Sequence, residues 1–154
     1  MSARLSPGRA AGTAAFLALL LALSGCLTVR FVADYDDQID QGISDVLRQF
    51  QSVFTRMERT AGSDAAPYPN FVRDYDDIRT KLRVLSARAR AHVKNDLTVQ
   101  MIDLLLDSLG KLEELHRMGP IPIEQQAVVR RGIETSCTAI LKLELAKKRG
   151  DSGS

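Results

Sequence analysis

The chain contains no tryptophan, aromatic residues occupy only 5% of its 154 positions, and cysteine and histidine occur twice each. Scarce aromatics beside abundant Leu, Ala, Arg, Asp and Gln argue against a β-sandwich and favour helices. A basic excess is lacking too. The formal charge is +2, but Arg4 and Arg9 fall in a segment expected to be removed, and without them 19 basic residues face 19 acidic ones. A nucleic-acid binder carries a basic footprint that is missing here, so no nucleic-acid partner is expected. The main apolar run, Ala10 to Leu23, has 14 residues. That is short of the ~20 that a helix needs to cross the hydrocarbon core of a bilayer. Overall hydrophobic and charged contents of 45% and 26% are those of one ordinary globular domain.

What stands at the N-terminal end has the layout of a secretory signal peptide: Arg4 and Arg9 without an acidic residue, the apolar run, then small residues before Cys26. Leu23-Ser24-Gly25-Cys26 looks like the lipobox of bacterial lipoproteins. In that class the cysteine thiol is the nucleophile that takes a diacylglyceryl group, the peptide is cut before it, and the new amine is acylated, as with palmitate. Small residues at 24 and 25 admit the backbone to the processing enzymes. One acyl chain, at ~0.8 kcal/mol per buried methylene, attaches reversibly, whereas two or three anchor stably. Residue 27 is Leu rather than Asp, which in enteric-type Gram-negative bacteria goes with export to the outer membrane. The expectation is a signal peptide over 1–25, a lipidated tether over 26–33, and anchorage on the periplasmic face of the outer membrane through Cys26. With Cys26 acylated, Cys137 is the one thiol left, so no internal disulfide is expected, and its apolar helical setting predicts a small buried side chain.

Breakers divide the remainder into four helical stretches. Ile39, Ile43, Val46, Phe50, Val53 and Met57 recur at spacings of four and three, which predicts a helix over about 34–60 with one apolar face. Gly62, Pro67 and Pro69 end it. Asn70 reads as the N-cap of a second helix, with Asp74, Asp76 and Asp77 in its early turns and Ile78, Leu82, Leu85, Ala89 and Val93 on its apolar face. Asn95-Asp96 reads as the cap of a third, carrying Met101, Ile102, Leu105, Leu109, Leu112 and Leu115 and closed by Gly119-Pro120. Pro122 opens a fourth, with Ile133, Cys137, Ile140 and Leu141 on one side and Lys147-Lys148-Arg149 at its negative end before Gly150. Short connections make an all-α, antiparallel up-down four-helix bundle over 34–149 the expected fold, with a disordered tail over 150–154.

Two heptapeptides echo each other forty positions apart, FVADYDD at 31–37 and FVRDYDD at 71–77. A shared helix-start device, carboxylates plus an anchoring tyrosine, is the reading adopted; a true repeat array would need more copies. If the two starts met, Asp34, Asp36, Asp37, Asp40, Asp74, Asp76 and Asp77 would gather oxygen for a hard cation, but consecutive antiparallel helices start at opposite ends and no EF-hand loop is present. Glu113-x-x-His116 is half of a di-iron bundle motif whose other half is absent, since Arg88 and Ala89 precede His92. No Cys-x-x-Cys-His exists for c-type haem, and Met57, Met101 and Met118 are read as packing rather than haem ligation. Ser136-Cys137 has no histidine beside it and no strand-turn-helix elbow, so no nucleophile is assigned. The basic run Arg79, Lys81, Arg83, Arg88, Arg90 and Lys94 is interleaved with alanine, as on the flank of an apolar face. No catalytic residue, metal ligand or cofactor is expected.

The ending Ala139-Ile140-Leu141-Lys142-Leu143-Glu144-Leu145-Ala146-Lys147-Lys148-Arg149-Gly150, with Tyr35-Asp36-Asp37-Gln38-Ile39-Asp40 and Asn95-Asp96-Leu97-Thr98, resembles a group of small Gram-negative lipoproteins. The resemblance implies the address and the helical build and carries no activity. The expectation is a non-enzymatic adaptor or scaffold that binds a protein partner. The alternative is a small-ligand or metal-binding bundle built around Glu113, His116 and the Asp clusters.

Overall fold

The computed structural model describes residues 33–152; Leu23, Ser24, Gly25 and Cys26 lie outside the described residues. Four helices follow one another: α1 (Asp37–Thr60), α2 (Val72–Ala91), α3 (Asp96–Arg117) and α4 (Ile123–Ser152), with a short 3₁₀ turn at Tyr68–Phe71 ahead of α2. No strand occurs among the described residues. Each helix packs antiparallel on its chain neighbours and α4 closes the ring on α1. The direction shows in the cross-helix pairs. The start of α1 meets the end of α2 through Asp36 and Arg88, and the end of α1 meets the start of α4 through Glu58 and Arg130. The expected all-α up-down four-helix bundle is the fold.

The apolar stripes meet along the axis. Ile39, Ile43, Val46, Phe50 and Val53 of α1 are buried with Ile78, Leu82 and Leu85 of α2, Ile102, Leu105, Leu109 and Leu112 of α3, and Ile133, Cys137 and Ile140 of α4. Phe54 also lies in this core, completely buried, although it falls outside the stripe read from the sequence. Val93 does not. Helix α2 ends at Ala91, so Val93 leaves the helical face and is 82% exposed.

Local chemistry explains the ends. Asp36, in extended backbone, caps α1 by accepting from the N–H groups of Gln38 (2.9 Å) and Ile39 (3.3 Å). Asn70 does not cap α2. It lies inside the 3₁₀ turn and its side chain donates to the Asp64 carbonyl at 3.2 Å. Asn95 occupies the N-cap position of α3 but makes no side-chain cap bond. The α2–α3 turn places Lys94 at φ 62, and α3 stops ahead of Gly119 at φ 150, a conformation that a side chain would resist. Helix α4 begins after Pro122, whose carbonyl accepts from Gln126 N–H at 2.9 Å, and it runs through Gly150 to Ser152 rather than stopping at the glycine. A single Gly weakens a helix without ending it.

The two echoing heptapeptides prove to be different devices. In the first, Asp36 is a cap and Tyr35 donates to Asp40 at 2.9 Å. In the second the helix has already begun, Asp76 pairs with Arg79, and Tyr75 is a completely buried core residue. The same letters fall at different helical phase, which overturns the reading of a shared start.

Gly42 of α1 packs against Leu85 of α2, where a Cβ would lie 2.4 Å from the Leu85 Cδ2 methyl. Leu85 is itself buried, so overpacking of about 1–3 kcal/mol should exceed the gain of about 1 kcal/mol from replacing a helical glycine. Gly110 in α3 has nothing within 4 Å of the same position. Gly42→Ala is therefore expected to destabilise by about 1–2 kcal/mol and Gly110→Ala to stabilise by up to about 1 kcal/mol. Urea unfolding midpoints of the two variants check both signs.

Candidate functional site

Polar side chains gather at the two ends of the bundle. At the end where residue 33 comes in, Glu144 and Lys147 of α4 are both buried and pair at 2.6 Å. Lys147 Nζ also donates to Asn95 Oδ1 at 2.6 Å and to Thr98 Oγ1 at 2.8 Å, which uses its three donors. Glu144 accepts from Thr98 Oγ1 at 3.0 Å and from the Asp36 backbone N–H at 3.4 Å. Asn95 Nδ2 donates to the Ala89 carbonyl at 3.1 Å, which draws the end of α2 into the same cluster. Asp36 receives Arg88 Nε at 2.6 Å, and His92 Nε2 lies 3.1 Å from the same oxygen. Burial works against the Asp36 charge, but the Arg88 hydrogen bond and the two backbone donors outweigh it and hold the carboxyl below its usual value.

Lys147, read from the sequence as one of three cations in the last turn of this helix, is instead a buried, paired core residue. The stripe Ile133, Cys137, Ile140 continues at the same spacing through Glu144 and Lys147, so opposite charges at (i, i+3) occupy core positions. That spacing was the available signal.

At the other end, Glu113 and His116 stand one turn apart on α3, yet each has separate partners. Glu113 accepts from Tyr68 Oη and Arg117, each at 2.6 Å, and pairs with Arg79. Burial raises its carboxyl, but these three donors prevail and hold it below the ordinary carboxylate range. His116 is 1% exposed and surrounded by rings, with Phe71, Tyr75 and Tyr68 centroids 4.9, 5.9 and 6.0 Å away. Its Nε2 lies 2.8 Å from the Ala66 carbonyl, which only accepts, so the proton sits on Nε2. Nδ1 then accepts from Tyr75 Oη at 3.0 Å. Burial, and then the nearby Glu113 charge, push the Tyr75 phenol up, so it remains a neutral donor. Both ring nitrogens are committed, which leaves no lone pair for a metal.

The remaining candidates are placed plainly. Asp36 and Asp40 lie at one end and Asp74 and Asp76 at the other, with Asp74 paired to Arg56 at 2.7 Å. Among the described residues no three His, Cys, Asp or Glu side chains converge as a metal site would require. The basic run is shared out among neighbours: Arg79 to Asp76 and Glu113, Lys81 to Asp45, Arg88 to Asp36, Arg90 to Asp103. Cys137 is completely buried, and burial pushes its thiol up to about 12, far from the thiolate that redox or metal chemistry needs. Met101 is half-buried, Met57 is a core residue that lines the same hollow as His116, and Met118 is 79% exposed.

Two hollows adjoin these groups. One, of about 190 Å³, lies beside His116, between the end of α1 and the turn into α4. The other is a groove of about 340 Å³ between α3 and α4, floored by Leu112, Leu115, Val129 and Ile133 with Gly132 and Ser136 at its edge. Among the described residues no helix is long and apolar enough to cross a membrane. Comparison of the chain with protein-family models, with curated proteins and with solved structures returns no match.

The depressed carboxyls set a pH dependence. A carboxylate with a lowered folded pKa contributes stability that is complete above its ordinary value, about pH 4, and is lost as pH falls through the lower folded value. Glu113→Gln is expected to cost about 1–3 kcal/mol near neutral pH, because a weaker partner faces Arg79 and Arg117. The gap to the wild type should close as pH falls from about 5 to about 2. Urea unfolding across that range checks it; a gap that does not vary with pH would contradict the assignment.

Proposed function

We propose that the chain is a lipid-anchored adaptor on the periplasmic face of the outer membrane, tethered through Cys26 and offering the α3–α4 groove to an amphipathic helix of a protein partner. The observation that carries the partner half of this reading is the groove. Leu97, Met101 and Leu104 continue the stripe of Ser108 along α3 at spacings of four and three, and Leu97 and Leu104 are 56% and 65% exposed. Opposite them, α4 presents small residues, Gly132, Ser136 and Ala139. A methyl at Gly132 would meet nothing within 4 Å, so no intramolecular packing demands the glycine, and the groove stays open beside it. Large exposed leucines flanking an open apolar groove are the form in which a helix is received.

The tether half is supported by the Leu23-Ser24-Gly25-Cys26 pattern. The polar clusters favour recognition over reaction, since their carboxylates, histidine and lysine are paired with one another inside the bundle. Near-equal charge after the signal segment agrees with a protein partner rather than a polyanion.

The reading is tested in native envelopes. Intact mass is expected to show a chain beginning at Cys26 with acyl chains attached. A photo-crosslinking residue at Leu104 should give one discrete protein adduct that is lost with Leu97→Asp, while the same residue at Arg83 on α2 gives none. An unlipidated chain retaining Met1 would overturn the tether, and equal adducts from Leu104 and Arg83 would overturn the groove.

A further inference from the structure

Exposed apolar side chains stand at both ends of the bundle: Val93 and Leu97 around the α2–α3 turn, at 82% and 56%, and Met118 and Ile123 around the α3–α4 turn, at 79% and 55%. Exposure alone does not rank the two ends. The course of the chain does. Ala33 is buried and its N–H donates to the Lys94 carbonyl at 3.2 Å, so the polypeptide that leads from Cys26 enters the bundle against the α2–α3 turn. Seven residues, 27 to 33, make up that stretch, and fully extended they reach at most ~25 Å. Helix α3, with 22 residues at ~1.5 Å each, puts about 33 Å between the two turns. A bilayer that holds Cys26 is therefore within reach of the α2–α3 turn, and the α3–α4 turn lies further from the point of entry than the tether is long.

The turn holds Val93 outward. Lys94 takes left-handed backbone, φ 62, between the end of α2 at Ala91 and the start of α3 at Asp96. Asn95 is buried and tied inward to the Ala89 carbonyl and to Lys147, which fixes the turn from below. Residues 88–95 carry Arg88, Arg90, His92 and Lys94 and no carboxylate, but Arg88 and His92 face Asp36, Arg90 faces Asp103, and Asp34 and Asp96 flank the turn in sequence. Charge there nearly cancels, so apolar burial decides what the tip touches. A lone valine gives at most about a hundredfold in partition, too little to hold a free protein on a bilayer. On a tethered chain the encounter is intramolecular, with an effective concentration on the order of millimolar for a short flexible link, and the same contact suffices to set orientation.

We propose that the α2–α3 turn is the membrane-facing tip of the bundle, with Val93 seated at the boundary between phospholipid headgroups and acyl chains. The inference rests on the reading of Cys26 as a lipid anchor and deepens it, by assigning the end of the bundle that the bilayer covers. Val93 is no part of the α3–α4 groove, so the partner half of the adaptor reading stands apart from it.

The test uses the chain purified from native membranes with a thiol-coupled fluorophore at Val93→Cys or, as control, at the similarly exposed Met118→Cys; Cys137 is buried and does not compete for the label. Each is reconstituted into phosphatidylcholine vesicles containing phospholipid spin-labelled near the top of the acyl chain. The spin label is expected to lower the fluorescence at position 93 by about twofold or more and to leave position 118 unchanged. Intact mass of the same sample separates the two claims. An acylated chain quenched equally at both positions, or at neither, overturns the tip alone, whereas an unacylated chain overturns anchor and tip together. Shielding of position 93 in native envelopes without quenching in vesicles would assign the turn to a protein and overturn the proposal as well.

Discussion

The buried pair of Glu144 and Lys147 is the constraint on which the arrangement of the helices depends. Its contacts reach every helix: Asp36 N–H at the start of α1, the Ala89 carbonyl of α2 by way of Asn95, and Thr98 of α3. A burial of this kind is costly, since two charges leave water and only close, saturated geometry compensates. An apolar core of leucine and isoleucine tolerates sliding and rotation, whereas this cluster is satisfied in one register only. We regard the pair as the element that selects that register, while the apolar stripes supply the bulk of the stability.

The two ends therefore differ in kind. One is sealed by charges that satisfy each other. The other is a shell of Tyr68, Phe71 and Tyr75 around His116, held at its rim by Glu113 with Arg79 and Arg117. There the connections contain Gly62, Gly119 and four prolines, at positions 67, 69, 120 and 122. The hollow beside His116 lies at that end. The groove between α3 and α4 runs beside two small residues of α4, Gly132 and Ser136.

The fold class was legible because spacings of four and three recur in all four stretches, and breakers separate them. Helix existence follows from that periodicity; helix phase does not. Asn70 has the chemistry of a cap but falls inside a 3₁₀ turn, and the two heptapeptides look alike yet enter their helices at different points. Lys147 reads from the sequence as a cation of the last helical turn because charged residues are almost never fully buried unless paired, and its pairing with Glu144 becomes visible only when the core stripe of α4 is extended through both. Glu113 and His116 were noticed as a motif, but their partners Tyr68, Tyr75 and Arg79 come from residues 34 to 45 positions away.

Unfolding free energies of Lys147→Met, Glu144→Leu and the double variant test the central claim most directly. If the pair locks the bundle, each single change leaves a buried charge alone and costs about 3–5 kcal/mol, and the double variant recovers most of that loss. Single losses under about 1 kcal/mol, or costs that simply add in the double variant, would contradict the account.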